Sequence, residues 1–124
     1  DMAKSMNVDS NTLKFIPLNI TDENFTENYF KYVIKPLEDQ GIDFWWLDYQ
    51  QYPFTDVLHL NPTFWLNHLF FSNMEKQKLS FNEEDSRMKR GLIFHRWGGL
   101  GSHRYQIGFS GDTTTSWETL QFQV

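Results

Sequence analysis

Three short apolar runs, each stopping at or just before an ionic side chain, set the main limit on how this chain folds. "IDFWWLD" at 42–48 ends on Asp48, "GLIFH" at 91–95 is followed by Arg96, and "YQIGF" at 105–109 breaks at Ser110-Gly111 before Asp112. The first run has no period of two, which predicts a strand covered on both faces, as in parallel sheets. Helical patterns fill the intervals. The predicted order is helix, strand, helix, strand, glycine-rich loop, strand, helix, and such alternation specifies an α/β parallel sheet or barrel. No internal repeat or interdomain linker interrupts it, so residues 1–124 are expected to form a single segment of one domain.

The helices carry their own signals. Thr21 or Asp22 can cap the first, because their side-chain oxygens accept from free backbone N–H groups. Phe25, Tyr29 and Val33 then recur every fourth residue, with Phe30, Ile34 and Leu37 beside them, a stripe that faces a core. Pro36 is expected to kink or loosen the last turn and Gly41 to end it. Asn61-Pro62 reads as a second helix start, with Trp65, Leu66, Leu69, Phe70 and Met74 as its apolar face. Residues 75–91 read as a charged loop, and Ser116 to Phe122 as a last helix capped by Thr114 or Thr115. Lys14 to Leu18 is a candidate short strand broken by Pro17.

Composition narrows the function. Eleven basic residues face 16 acidic ones, a net charge of −5, which argues against a nucleic-acid partner, since phosphate binding needs a basic face. There is no cysteine, hence no disulfide framework and no thiolate metal site. No run approaches the roughly 20 apolar residues of a membrane-spanning helix. His59, His68, His95 and His103 lack metal-ligand spacing, and Gly98-Gly99-Leu100-Gly101 lacks the pattern of a phosphate loop, so neither metal nor cofactor is expected. Two glycosylation sequons, Asn19-Ile20-Thr21 and Asn24-Phe25-Thr26, are compatible with secretion and leave the compartment open. Aromatic content is 18%, which suits both a ring-rich core and a surface that stacks on sugars.

If the strands are parallel neighbours, Asp48, Arg96 and Asp112 surround one mouth, with Trp45, Trp46, Trp97, Phe109 and Trp117 near them. Two carboxylates at the carboxyl ends of strands are what retaining glycoside hydrolysis requires: one to attack the anomeric carbon, one to protonate the leaving oxygen and then deprotonate water. Arginine offers a rigid fork of donors for sugar hydroxyls. On pattern alone the signal is weak, because Asp after a strand is also a helix cap or a loop acid.

Longer motifs strengthen it. "DFWWLDYQQ" at 43–51 and "RGLIFHRWGGLGSHRYQIGFSGDTTTSWETL" at 90–120, with "WLNHLFF" at 65–71, resemble glycoside hydrolase family 31, whose members include retaining α-glucosidases on a (β/α)8 barrel. The resemblance implies a partial (β/α)8 TIM barrel and α-glucosidase-like hydrolysis of an oligosaccharide or α-glycoside through a covalent glycosyl-aspartate. It implies Asp48, in Trp46-Leu47-Asp48, as nucleophile and Asp112, in Gly111-Asp112, as acid/base. It implies Arg96, in His95-Arg96-Trp97, as a substrate-binding arginine and Phe109 as a wall of the sugar pocket. Trp46, Trp97 and His95 are expected beside them from residue type and position, with His103 also able to shape the site. The chain departs from the common pattern at Tyr49-Gln50-Gln51, at Gly108 and at Thr113. These positions bear on the glycone and aglycone and leave both acids in place.

A complete barrel needs about 250 residues, so the 124 here amount to half of one and are expected to be inactive without the remainder. Two other readings stay open: a non-catalytic carbohydrate-binding or structural piece, and transglycosylation, in which a sugar hydroxyl replaces water.

Overall fold

The computed structural model describes residues 1–9, 11–48, 55–79, 91–96, 100–109 and 111–123. A short helix α1 (Met2–Ser5) precedes an irregular stretch in which the candidate strand at 14–18 does not form. Helix α2 (Glu23–Tyr29) begins where Asp22 accepts a hydrogen bond from the backbone N–H of Phe25 at 2.6 Å, so Asp22 is the cap. It runs on through a π-helical stretch, Phe30–Ile34, into α3 (Lys35–Glu38), which carries Pro36. Proline has no N–H to donate back along the helix, and the wider turn ahead of it accommodates the loss. The stretch also shifts the helical phase. The expected stripe is met in part after Tyr29: Ile34 is buried, while Val33 and Leu37 are exposed. Gly41, at φ +104°, ends the run with its N–H on the carbonyl of Glu38.

Strand β1 (Trp45–Leu47) is followed by helix α4 (Pro62–Leu79), then β2 (Ile93–Arg96) and β3 (Ile107–Phe109), with a 3-10 turn (Ser102–Arg104) before β3. The strands form one parallel sheet in the order β1-β2-β3, with Leu47 opposite His95 and Arg96 opposite Phe109. Helix α5 (Trp117–Gln123) is the last of the described elements. Its first turn is capped by Ser116, whose Oγ accepts from the N–H of Thr119 at 3.2 Å, rather than by Thr114 or Thr115. Helix α4 starts as expected, with Asn61 Oδ1 accepting from Thr63 N–H at 2.8 Å, but extends to Leu79 into the segment expected to be loop.

The core lies between α4 and one face of the sheet. Leu66, Phe70 and Met74 of α4 join Leu47 and Ile93 there, and Phe25 and Ile34 close it from the first helices. Phe70 is the hub of the rings, in edge contact with Tyr29, Phe30 and Trp45. Glu38 pins this corner: it accepts from Trp45 Nε1 at 3.0 Å and from Gln77 Nε2 at 2.6 Å, tying α3, β1 and α4 together. The other face of the sheet is open. Trp46 is 55% exposed and Ile107 49% exposed, so the expectation that the first run is covered on both faces is not met. No described element packs there. An aromatic group, Trp46, Phe94 and Phe109, covers it instead, with ring centres 5.2–5.9 Å apart.

Candidate active site

Strand alternation decides what reaches this open face. Successive side chains of a strand point to opposite sides. On β2, Ile93 and His95 are buried toward α4, and Phe94 and Arg96 take the other side. The register then sets Trp46 beside Phe94 and Phe109 beside Arg96. Asp48 follows β1 two residues after Trp46, and Asp112 follows β3 by a three-residue step.

At the carboxyl ends of the three strands one guanidinium reaches both acids. Arg96 Nη1 lies 3.1 Å from Asp48 Oδ1, a hydrogen-bonded ion pair. Arg96 Nη2 lies 3.8 Å from Asp112 Oδ2, a looser one. The Arg96 side chain is only 18% exposed, whereas Asp48 is 49% and Asp112 92% exposed. An arginine seated on the sheet therefore presents two wet carboxylates. Pairs this exposed contribute little to stability, so the arrangement matters for orientation and charge rather than for holding the fold. The guanidinium carbon also lies 5.4 Å from the ring centre of Phe109, a cation–π contact that fixes it over the strand end.

The expected site residues separate into groups. Asp48, Arg96, Asp112, Trp46 and Phe109 share the open face. His95 does not: it is 3% exposed, on the side packed against α4, and its ring lies under Gly108, where an added Cβ would stand 3.3 Å from Cε1. Burial pushes the His95 pKa below the usual imidazole value, and the nearby backbone of Tyr105 and Ser102 opposes this only in part. The backbone of Tyr105 and Ser102 lies near enough to favour the charged ring, but neither ring nitrogen reaches hydrogen-bond geometry with a described residue. Trp45 also faces α4, stacked edgewise on Phe70, and Trp117 stands exposed at the start of α5. Trp97, Tyr49-Gln50-Gln51 and Gly98-Gly99 lie outside the described residues.

Two contacts are not foreseen from the sequence, those of Phe94 and of Gly111. Phe94 completes the aromatic group, and its position two residues before Arg96 on the same strand is the signal that finds it. Gly111 adopts φ +101° directly against the guanidinium, and no sequence pattern announces that contact. Among the described residues no three His, Cys, Asp or Glu side chains gather as a metal site, and no helix is long and apolar enough to cross a membrane.

The chemistry available is thus two carboxylates and a cation at adjacent ends of parallel strands, over an exposed aromatic surface. Retaining glycoside hydrolysis draws on a carboxylate pair, and aromatic faces suit sugar rings. No curated protein matches the chain. Residues 4–124 match the family described as "Glycosyl hydrolases family 31 TIM-barrel domain". With nearly all of its length matched, on a parallel sheet whose acids meet at one arginine, the chain belongs to the glycoside hydrolase family 31 TIM-barrel domain family.

Proposed function

We propose that this chain carries the catalytic pair of a retaining α-glycosidase of α-glucosidase type, with Asp48 as nucleophile and Asp112 as acid/base. The observation that carries the reading is the span of Arg96 between the two carboxylates at 3.1 and 3.8 Å. In the first step the Asp48 carboxylate attacks the anomeric carbon. The bond from that carbon to the leaving oxygen breaks, and the leaving oxygen takes the proton of the Asp112 carboxyl. In the second step Asp112 removes a proton from water, the water oxygen attacks the same carbon, and the ester to Asp48 is released. Two inversions give net retention, and no cofactor enters the balance.

The remaining parts follow from chemistry. Arg96 orients the Asp48 carboxylate through their hydrogen bond and offers donors to sugar hydroxyls as substrate enters. Trp46 and Phe109 give the sugar an apolar floor, and Trp97 is assigned to the same pocket. His95, buried beneath, supports the strand end and is held neutral. Residues 1–124 form one segment of the barrel, and the rest of the barrel covers the open sheet face; without it the chain is inactive, because the pocket lacks its other walls and the sheet keeps open edges.

In a complete enzyme carrying this segment, Asp48→Ala is expected to lower turnover of an α-glucoside to background. Asp112→Ala is expected to slow poor leaving groups far more than activated aryl glycosides, because only the former need the proton. Normal turnover by Asp48→Ala would remove the nucleophile assignment. Sugar binding unaffected by Asp48→Asn, in a protein that never turns over, would favour a non-catalytic binding role.

A further inference from the structure

We propose that Gly111 is a positioning residue for Arg96: the missing side chain is what lets one guanidinium lie between Asp48 and Asp112. A Cβ built on Gly111 would stand 3.1 Å from Arg96 Nη2, 3.4 Å from Nε and 3.6 Å from Cζ, so any side chain there makes the fork give way by a few tenths of an ångström. The group has little room to retreat. It sits near the Phe109 ring, 5.4 Å from the centre, and its other terminal nitrogen is engaged by Asp48. Gly111 is also at φ +101°, a conformation glycine adopts freely and other residues resist. The backbone turn and the steric gap therefore fall on the same residue, next to the proposed acid/base. Any larger residue pushes the fork away from Asp112 and tilts it on Asp48.

This rests on the catalytic reading above, and the experiment separates the two. In a complete enzyme carrying this segment, Gly111→Ala and Gly111→Asn are made in the natural background and in Arg96→Lys, with Asp48→Ala as control and thermal melting followed throughout. Asparagine tolerates positive φ far better than alanine but still adds a Cβ. If crowding of the fork is the cause, both variants lower kcat/KM for an α-glucoside by about tenfold or more. The loss then shrinks to about threefold or less in the Arg96→Lys background, where there is no fork to crowd, a coupling of the size neighbouring residues show. If Gly111→Asn behaves as the natural enzyme, or the loss is equal in both backgrounds, Gly111 serves only the turn and the proposal is overturned. Loss of the folded state in both Gly111 variants would overturn it equally. Turnover by Asp48→Ala would instead bring down the catalytic reading, whatever Gly111 does.

Discussion

Arg96 is the residue on which the two acids converge, at 3.1 Å from Asp48 and 3.8 Å from Asp112, and its planar fork is what lysine lacks. A lysine at this position is a point charge on a flexible stem, able to meet one carboxylate at a time. Arg96→Lys in a complete enzyme is expected to lower kcat/KM by about tenfold or more, the cost of one charge-assisted hydrogen bond. Steady-state kinetics on an α-glucoside check this, and an unchanged value would show that the bridge does no catalytic work. His95, the neighbouring residue, behaves in the opposite sense, a polar ring on the core side. Its folded pKa is depressed, so the unfolded chain binds more protons between that value and the ordinary 6.5. Stability from this group is therefore complete above the unfolded value and is lost as pH falls through the depressed one. Denaturation midpoints across pH 5–8 are expected to rise with pH in the natural sequence and to rise less in His95→Asn; an NMR titration placing His95 above the usual imidazole range would contradict this.

At the scale of elements, α4 and β2 make the platform. Ile93 has no exposed surface and stands against α4. Ile93→Ala is expected to cost about 2–5 kcal/mol in chemical denaturation, the loss of a buried side chain plus the cavity it leaves. Much of this layer is legible in the sequence. Asp22, Asn61-Pro62 and Gly41 announce their helix ends because capping is a local matter, settled within a turn. The three strands are legible because their short apolar runs stop at or just before an ionic side chain, Asp48, Arg96 and Asp112. The π-helical stretch at Phe30–Ile34 is not, since periodicity assumes a constant turn and Pro36 changes it. The covered face of β1 is misread for a different reason. The run at 42–48 is apolar on both sides, and sequence cannot say whether anything in the same chain covers the second side. His95 and Trp45 are expected near the sugar for a related reason: residue type ranks them with Trp46 and Arg96, and only strand parity separates the faces. The two acids are proposed through the family resemblance, because a single Asp after a strand reads equally well as a cap or a loop acid.

For the whole molecule the decisive feature is an aromatic sheet face that no described element covers. Trp46 and Ile107 keep about half of their surface in solvent, on the side away from α4. If a barrel encloses this face, its residues act as core there and as surface here. Ile107→Ala is then expected to change the stability of the isolated chain by less than about 0.5 kcal/mol, and that of a complete barrel by about 2–5 kcal/mol. Equal small effects in both would mean that the face stays open. The central claim, that Asp48 is the nucleophile of a retaining enzyme, has a direct test. A complete enzyme carrying this segment is incubated with a fluorinated α-glucosyl fluoride, which forms the ester faster than water can clear it, and the digested protein is weighed by mass spectrometry. The account predicts one added fluoroglucosyl group on the peptide that contains Asp48, and none in Asp48→Ala. A label on another residue, or an active enzyme that is never labelled, would contradict it.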